Sequence, residues 1–416
     1  MNFEVGIMLI VIYFMLYCSI LFLVIFSSKK KELRVDPKPT RYPLVSIIVP
    51  AWNEEKSIKK TIISCLALEY PKKEIIIVND GSTDRTEEIA RRFEEEGMLK
   101  VISKENGGKA SAMNAGIKIA KGEYVCCMDA DSFFNPATLK TMVGYMEDPE
   151  VGAVTTSMKV HKPEGFVQMI QWMEYLFAIY LRKLMTYLNC LYVVPGPGGL
   201  YRRSLLKKLG GFDEHNITED MEIAFRIQKA GYQIRNSLDA EVETIAPNTI
   251  KGLVKQRVRW YVGFYDNILK YKSMIFNPKY GALGMFMIPT SILWVFLLMY
   301  SMMKLSMSFF NSMSMAVRTI WLVGINRNLI AETFRNIFVF NPNYITAFSV
   351  ILTFVGVLVI YLSVTTSKER FDLRNKAHHY LIYMVGYSFV MTLCWICSFA
   401  FIFIRGKERG WKGGKI

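Results

Sequence analysis

The chain has 416 residues, 52% of them hydrophobic, and a formal net charge of +15. A chain of this length and apolar content can bury a full soluble core and still have apolar sequence left over. Its basic residues are spread along the chain and concentrated beside apolar segments. This favours attraction to anionic lipid over nucleic-acid binding, although about half of them could simply form a solvated surface. The seven cysteines have no paired metal-binding spacing and are expected to be free thiols.

The first predicted element is an uncharged segment from Val5 to Phe26, long enough as a helix to cross a hydrocarbon layer of about 30 Å. Basic residues follow this segment instead of preceding it, so we interpret it as a retained membrane span and not as a cleaved signal peptide. The lysines at 29–31 predict that the chain after the span is cytoplasmic. We therefore predict a transmembrane helix over residues 1–28 and a basic cytosolic linker over residues 29–43.

Between residues 44 and 240 short β-rich segments alternate with amphipathic helical stretches, which is typical of an α/β domain with a largely parallel sheet. Strands are predicted at Val45–Val49, Glu74–Val78, Lys100–Ser103 and Tyr124–Met128, and helices at Ile58–Leu68 and Lys109–Ala120. Open parallel sheets bind ligands beyond the carboxyl ends of their strands. We therefore expect one cleft to collect the polar residues that follow these strands, namely Asn53, Asp80, Lys109, Asp129 and Asp131.

Two further segments are rich in aromatic residues. One lies within this domain, and the other lies between the domain and the later apolar sequence. Residues 166–189 contain three charges and are too charged to span a membrane comfortably, so we predict an interfacial helix along the membrane surface. Burial against the soluble domain is the alternative. A similar segment, 250–272, lies within the region 241–280. Both segments are expected to dock the α/β domain on membrane helices.

The C-terminal region 281–404 contains further uncharged segments, and three of them are predicted spans: Gly281–Met303, Tyr344–Thr366 and Tyr380–Ile404. Leu305–Asn326 contains one charged residue, Arg318. Two interpretations of this segment remain: a fourth C-terminal crossing, or a re-entrant or interfacial segment. The basic tail, 405–416, should be cytoplasmic, which requires an even number of crossings after the soluble domain. We therefore favour five spans in the whole chain.

Acidic and basic residues suited to a nucleotide diphosphate follow the predicted strands. Asp129-Ala130-Asp131 is a D-x-D arrangement, and Mg²⁺ and Mn²⁺ commonly bind one or two carboxylates together with substrate phosphates. Asp80 ends the second strand, where it can meet the base or ribose of a nucleotide. Lys109 follows two glycines that let the backbone approach closely, and it supplies a cation near the diphosphate. Each residue also has an ordinary turn, loop or capping role.

A second group of candidate residues lies later in the chain. Asp220, in Thr218-Glu219-Asp220 at the start of a predicted helix, can act as the base that takes a proton from an attacking hydroxyl. Gln256, Arg259 and Trp260 share one helix face in a Q-x-x-R-W segment. Arg259 offers a planar fork to phosphate oxygens, and Trp260 offers a flat face to a sugar ring. Capping explains part of the Thr-x-x-acid pattern, and lipid anchoring would explain Trp260 alone.

Six motifs occur in order: Pro50-Ala51-Trp52-Asn53-Glu54, Val78-Asn79-Asp80-Gly81-Ser82-Thr83-Asp84, Gly107-Gly108-Lys109-Ala110, Asp129-Ala130-Asp131, Thr218-Glu219-Asp220 and Gln256-Arg257-Val258-Arg259-Trp260. The series resembles the processive family 2 glycosyltransferases, which include cellulose, chitin, hyaluronan and poly-N-acetylglucosamine synthases. The likeness covers roughly Leu44 to Tyr265. Compact size, Ile217–Asp220, Lys255–Trp260 and Ser291–Val295 are most similar to the poly-β-1,6-N-acetylglucosamine synthases of biofilm formation. Hyaluronan and chitin synthases carry a Trp-Gly-Thr gating segment, where this chain has Trp411-Lys412-Gly413-Gly414.

The resemblance implies a GT-A-type, Rossmann-like cytosolic domain joined to all-α transmembrane and interfacial helices. It implies an inverting single displacement in which Asp220 is the catalytic base and Asp129 and Asp131 hold Mg²⁺ or Mn²⁺. The donor-binding residues are expected to be Ala51, Asn53, Asp80, Lys109, Asp129, Gln256 and Arg259. The acceptor-binding residues are expected to be Glu219, Trp260, Gly196 and Pro197.

The expected partners are a UDP-sugar donor, a growing polysaccharide, membrane lipid and, in some relatives, a small accessory membrane subunit. The implied function is processive transfer, with N-acetylglucosamine as the best candidate sugar, coupled to export by a multi-pass protein of the plasma membrane. The alternatives are a hyaluronan, chitin or cellulose-like polymer synthase, a non-processive transferase that forms a glycolipid, and a transporter or scaffold that only binds nucleotide.

Overall fold

The computed structural model describes residues 3–323 and 344–405. Within these residues the chain forms one eight-stranded sheet. Its strands are β1 (Val45–Ala51), β2 (Lys73–Asp80), β3 (Lys100–Lys104), β4 (Tyr124–Cys127), β5 (Ser132–Phe134), β6 (Val151–Val160), β7 (Gly199–Arg202) and β8 (Gln233–Thr244). Their order across the sheet is β3-β2-β1-β4-β7-β6-β8-β5.

The first half of the sheet is parallel, and its strands β1, β2 and β4 are largely buried on both faces. β1 pairs in parallel with β2 and β4, and β2 pairs in parallel with β3. Successive side chains of β1 point to opposite faces, so Ile48 joins one hydrophobic cluster while Ile47 and Val49 join the other. The helices that follow these strands are α2 (Ile58–Leu66), α3 (Thr86–Glu95) and α4 (Lys109–Ile119). The four predicted strands and the α/β class are therefore confirmed.

The second half of the sheet mixes directions, which the sequence did not predict. β7 enters between β4 and β6 and runs antiparallel to both, whereas β8 is parallel to β6 and antiparallel to β5. Three helices accompany these strands: α5 (Thr138–Tyr145), α7 (Arg203–Lys208) and α8 (Glu219–Lys229). β8 continues past the predicted domain end at residue 240, because its last residues pair with β5 and β6.

Two helices lie between this sheet and the long apolar helices. These are α6 (Gly165–Tyr187) and α9 (Ile250–Lys270), and the apolar helices are α1 (Phe3–Ser28), α10 (Ile288–Val323), α11 (Tyr344–Thr366) and α12 (Leu373–Arg405). α6 contacts β6 and β8 as well as α1, α11 and α12, and α9 contacts α12. Trp172, Leu176 and Ile179 of α6 are buried. The helix is therefore enclosed by protein over much of its surface, and its predicted alignment along a membrane surface stays a prediction.

The predicted linker is fastened to the α/β domain through Asp36. Its carboxylate accepts hydrogen bonds from the hydroxyls of Tyr145 and Ser237. The ammonium of Lys183, on α6, lies 3.7 Å from the same carboxylate and donates to the Tyr145 hydroxyl at 2.9 Å. One carboxylate thus connects the segment after α1 to α5, α6 and β8.

Among the described residues, three helices are long and apolar enough to cross a membrane: Gly6–Ser28, Leu283–Leu322 and Gly386–Ile404, with Val350–Thr366 a shorter apolar helix. α10 is one continuous helix of 36 residues, about 54 Å long. Residues 305–323 therefore continue the same helix as residues 288–304, since no glycine or proline interrupts α10 after its first turn, and whether they form a separate crossing stays a prediction. Residues 324–326 and Trp411 lie outside the described residues, and the total of five spans stays a prediction.

Candidate active site

Asn53 joins the loops that follow β1 and β2. It adopts a left-handed backbone conformation, with φ 56°, which asparagine tolerates better than most residues. Its N–H donates to the Ser82 hydroxyl at 3.0 Å, and its Oδ1 accepts from the Thr83 N–H at 2.8 Å. Ala51, the last residue of β1, is buried and pairs with Asn79 of β2. These two predicted donor-binding positions therefore form the rim where β1 and β2 end.

Asp80 shapes the glycine loop that leads into α4. Its carboxylate accepts hydrogen bonds from the Lys104 ammonium at 2.8 Å and from the backbone N–H groups of Gly107 at 3.0 Å and Gly108 at 2.8 Å. Gly108 has φ +88°, a conformation that favours glycine. Because the Asp80 side chain is only 4% exposed, it supports the loop, and direct contact with a nucleotide stays a prediction.

Lys109, the first residue of α4, is the centre of an ion-pair cluster. Its ammonium lies 2.5 Å from Asp129 Oδ1 and 3.3 Å from Glu219 Oε1. Burial lowers the pKa of Lys109, but the charges of Asp129, Glu219 and Asp220 outweigh it and leave the pKa above its ordinary value. Lys109 therefore stays protonated, and its ammonium lies between the carboxyl end of β4 and the start of α8.

Gly196 and Pro197 run alongside this cluster. A Cβ atom at Gly196 would lie 2.4 Å from the Lys109 ammonium and about 3 Å from both carboxylate oxygens of Asp129, so a larger residue there would displace this ion pair. The Pro197 carbonyl accepts a hydrogen bond from the Thr156 hydroxyl at 2.9 Å. The backbone before β7 thus approaches the predicted diphosphate site closely.

Asp131 faces two other carboxylates. Burial, followed by the charges of Asp129 and Glu54, raises the pKa of Asp131 to about 6. Burial is also the main cause that raises the pKa of Glu54, with Asp129 contributing. Glu54 was not among the predicted site residues, although it ends the first of the six motifs. Its approach to the cluster depends on the turn at Asn53.

These carboxylates suit a divalent metal that also binds a diphosphate. Oδ1 of Asp129 is buried and accepts no hydrogen bond of good geometry, so apart from its ion pair its lone pairs are available. In the described part of the chain, no three His, Cys, Asp or Glu residues form a complete metal site. Mg²⁺ commonly takes one or two carboxylates and completes its octahedron with phosphate oxygens and water. Asp129 and Asp131 fit that pattern.

Asp220 lies in the first turn of α8, next to the cluster. Its Oδ1 accepts a hydrogen bond from the Met221 N–H at 2.8 Å. Burial and the neighbouring Glu219 raise the pKa of Asp220 to about 6, while Lys109 and Arg259 limit the rise. Arg259, from α9, is thus close enough to act electrostatically on this carboxylate.

α9 is held against the start of α8 by a close contact. A Cβ atom at Gly263 would lie 2.3 Å from the Thr218 hydroxyl, so the two helices approach as closely as glycine permits. The Asn267 amide donates to the same hydroxyl at 3.0 Å. This contact brings the Q-x-x-R-W segment next to Glu219 and Asp220.

The Q-x-x-R-W segment itself is arranged around Arg257, for which no role was predicted from the sequence. Arg257 is 1% exposed, pairs with Glu174 of α6 and donates to Gln256 Oε1 at 2.6 Å. Its guanidinium carbon lies 4.0 Å from the centre of the Trp260 ring. Arg259, in contrast, is exposed. One signal for Arg257 was available, since Glu174 is the only acidic residue in α6.

The strand order, the carboxylates at the strand ends and the glycine loop before α4 define a GT-A-type domain of the kind that binds nucleotide sugars. Residues 46–210 match the family described as Glycosyl transferase family 2. This part of the chain is similar to the family 2 glycosyltransferases, and the predicted GT-A-type fold class is confirmed.

The curated relatives include proteins named poly-β-1,6-N-acetyl-D-glucosamine synthase. One from Staphylococcus epidermidis is 35% identical over 258 residues, which are 61% of this chain and 63% of that protein. One from Staphylococcus aureus (strain COL) is 32% identical over 277 residues, which are 65% of this chain and 66% of that protein. The match thus spans just under two thirds of these relatives.

Among solved structures, the mannosyltransferase PcManGT from Pyrobaculum calidifontis, in complex with GDP-Man and Mn²⁺, has a TM-score of 0.56 and 22% identity. The match covers 87% of this chain and 98% of that one. At this identity the likeness concerns the fold.

Proposed function

We propose that this protein transfers N-acetylglucosamine from a UDP-sugar to the non-reducing end of a growing polysaccharide, with inversion at the transferred carbon. One observation carries the proposal: the ammonium of Lys109 lies between the carboxylates of Asp129 and Glu219, with Asp220 beside them. The cluster combines a fixed cation, one metal-ligand candidate, Asp129, whose second partner would be Asp131, and a carboxylate of raised pKa. A transferase with a diphosphate leaving group can use all three.

In the proposed reaction the acceptor hydroxyl oxygen bonds to the anomeric carbon while the bond from that carbon to the diphosphate oxygen breaks. Asp220 receives the hydroxyl proton, and the electron pair of the broken bond leaves with UDP. Lys109 and Arg259 stabilise the negative charge that develops on the leaving group. A Mg²⁺ or Mn²⁺ ion held by Asp129 and Asp131 would neutralise further charge on the diphosphate.

The choice of sugar and product rests on the relatives. Those named as poly-β-1,6-N-acetyl-D-glucosamine synthases share about a third of the aligned residues. Repeated transfer and export across the membrane are part of the proposal, as is a plasma-membrane location with the α/β domain in the cytoplasm. So are contacts with membrane lipid and with a small accessory membrane subunit.

The decisive experiment incubates the purified full-length protein with labelled UDP-N-acetylglucosamine, UDP-glucose or GDP-mannose, with Mg²⁺ or Mn²⁺. The products are sized and digested with linkage-specific hydrolases. We expect a polymer ladder from UDP-N-acetylglucosamine that a β-1,6-specific hydrolase degrades. A single sugar added to lipid would support the glycolipid alternative, another polymer would change the donor assignment, and donor left intact under every condition would favour a binding or transport role.

A further inference from the structure

A buried ion pair connects α6 to α9 next to the cleft. Glu174 lies on α6 and Arg257 on α9, and their side chains are 17% and 1% exposed. Burying two charges costs free energy that their attraction recovers only with good geometry and further hydrogen bonds. Trp172 and Met173, which precede Glu174 on α6, belong to the apolar cluster against which Trp260 packs. The ion pair thus lies next to this cluster.

Arg257 contacts two of the three residues that define the Q-x-x-R-W segment. One end of its fork donates to the amide oxygen of Gln256, and the other end donates to Glu174. The carbon of the same guanidinium lies over the Trp260 ring, 4.0 Å from its centre. A planar guanidinium can make in-plane hydrogen bonds and stack on an aromatic ring at the same time, and a lysine cannot.

Trp260 has a second support. It packs against the apolar cluster that includes Met158, Val160 and Trp172. The ring therefore contacts both this cluster and the guanidinium. Its tilt depends on where Arg257 lies, and the position of Arg257 depends on Glu174.

We propose that Arg257, held by Glu174, is a positioning residue that sets the orientation of Trp260 for binding of the acceptor sugar. This inference rests on the proposed function, because the acceptor role of Trp260 belongs to it. Arg257 is only 1% exposed, so it acts on the acceptor through Trp260. Its loss should therefore weaken acceptor binding more than donor binding.

The matched control is Arg202, which also stacks on an aromatic ring and makes several hydrogen bonds. Its guanidinium lies 5.8 Å from the Tyr124 ring centre, and it donates to the backbone carbonyls of Val151, Met146 and Asp148. In the sheet, Arg202 is the strand partner of Tyr124, which begins β4, whereas Asp129 follows the other end of β4. Loss of Arg202 tests general destabilisation without reaching Trp260.

The test compares Arg257→Gln, Arg257→Lys, Glu174→Gln and Arg202→Gln in the full-length protein. The measurements are the KM for a short oligosaccharide acceptor and the KM for the donor. We expect Arg257→Gln and Glu174→Gln to raise the acceptor KM about tenfold, with the donor KM within about twofold of wild type. Arg257→Lys should fold and give an acceptor KM between those of wild type and Arg257→Gln. Arg202→Gln should leave the acceptor KM unchanged.

A second measurement does not depend on activity. The protein is labelled with 5-fluorotryptophan, and the fluorine resonance of Trp260 is assigned from Trp260→Phe. The Arg257 variants should shift or broaden this resonance, and Arg202→Gln should not. An unchanged resonance together with an unchanged acceptor KM in Arg257→Lys would overturn the inference. A wild-type protein that transfers no sugar would refute the proposed function, while the fluorine spectra would still decide whether Arg257 orients the ring.

Discussion

Asp220 is the carboxylate whose surroundings best suit a base. It accepts one backbone hydrogen bond and lies between a like charge, Glu219, and two cations, Lys109 and Arg259. Asp220→Asn keeps the size and the hydrogen bond from Met221 but cannot accept the proton. We expect transfer to fall by at least about 10²-fold, while binding of labelled UDP-sugar changes little. Unchanged turnover in this variant would remove Asp220 from the mechanism.

The pKa of Asp220 also predicts how the rate depends on pH. A base must be ionised, and burial together with Glu219 raises the pKa of Asp220 to about 6 instead of the ordinary value near 3.8. The rate should therefore rise with pH up to about 6 and level off above it. Below that value, kcat/KM should fall about tenfold for each pH unit. A profile that stays flat down to pH 4.5, with folding verified by circular dichroism, would contradict this assignment.

Part of the site was predictable from spacing alone. Lys109, Asp129 and Asp131 follow parallel strands, whose carboxyl ends meet at one edge of the sheet, and the structure brings them together. Glu54 and Arg257 were not predicted. The approach of Glu54 depends on the left-handed turn at Asn53, and the burial of Arg257 depends on contact with a helix far away in sequence. The catalytic and binding roles of Lys109, Asp129 and Asp131 stay predictions.

At the scale of secondary-structure elements, the contact between α8 and α9 controls how the Q-x-x-R-W segment meets Asp220. Gly263→Ala would place a Cβ atom 2.3 Å from the Thr218 hydroxyl and push the helices apart. We expect a loss of about 1–3 kcal/mol in stability and a larger fall in transfer than in donor binding. Thermal unfolding measures the loss in stability. The transfer rate and the KM values for donor and acceptor measure the effects on transfer and on binding.

The control for this substitution is Gly386→Ala in α12. A Cβ atom there meets only Ile382 at 3.7 Å, an ordinary contact. Because alanine favours a helix interior by up to about 1 kcal/mol over glycine, this variant should be neutral or more stable. If Gly263→Ala behaves in the same way, close approach of the two helices is not needed.

The sequence predicted β1 to β4 because each is a short apolar segment followed by polar residues. It did not predict the other four strands or their order. β4 pairs with β7 so that Cys127 lies opposite Gly199, and β8 pairs with both β5 and β6. Such pairings join segments that are distant in sequence, and no local pattern specifies them. The same reason explains why the enclosed position of α6 remained an alternative.

At the scale of the whole molecule, hydropathy located the apolar helices but not their limits. A single lysine, Lys304, divided residues 281–326 into two apolar segments in the sequence analysis, whereas the structure continues α10 through it. One charge does not end a helix, because the backbone hydrogen bonds do not depend on it. Helix length therefore had to come from the structure, and orientation across the membrane needs a separate experiment.

That orientation can be tested by cysteine labelling in intact cells. The basic residues after α1 predict that the chain start is outside and the α/β domain inside. We therefore expect Glu4→Cys, at the N-terminal end of α1, to react with an impermeant maleimide in intact cells. Glu95→Cys, at the exposed end of α3, should react only after permeabilisation. The wild-type chain provides the background, since four of its seven cysteines are buried in the α/β domain.

The opposite labelling pattern would place the candidate active site outside the cell, away from the nucleotide sugars that the proposed reaction consumes. The ion pair between Lys109 and Asp129 would remain, but a cytoplasmic donor could not reach it. Labelling of both positions in intact cells would show instead that α1 does not cross the membrane. In that case the lysines at 29–31 would act only as a surface contact with lipid.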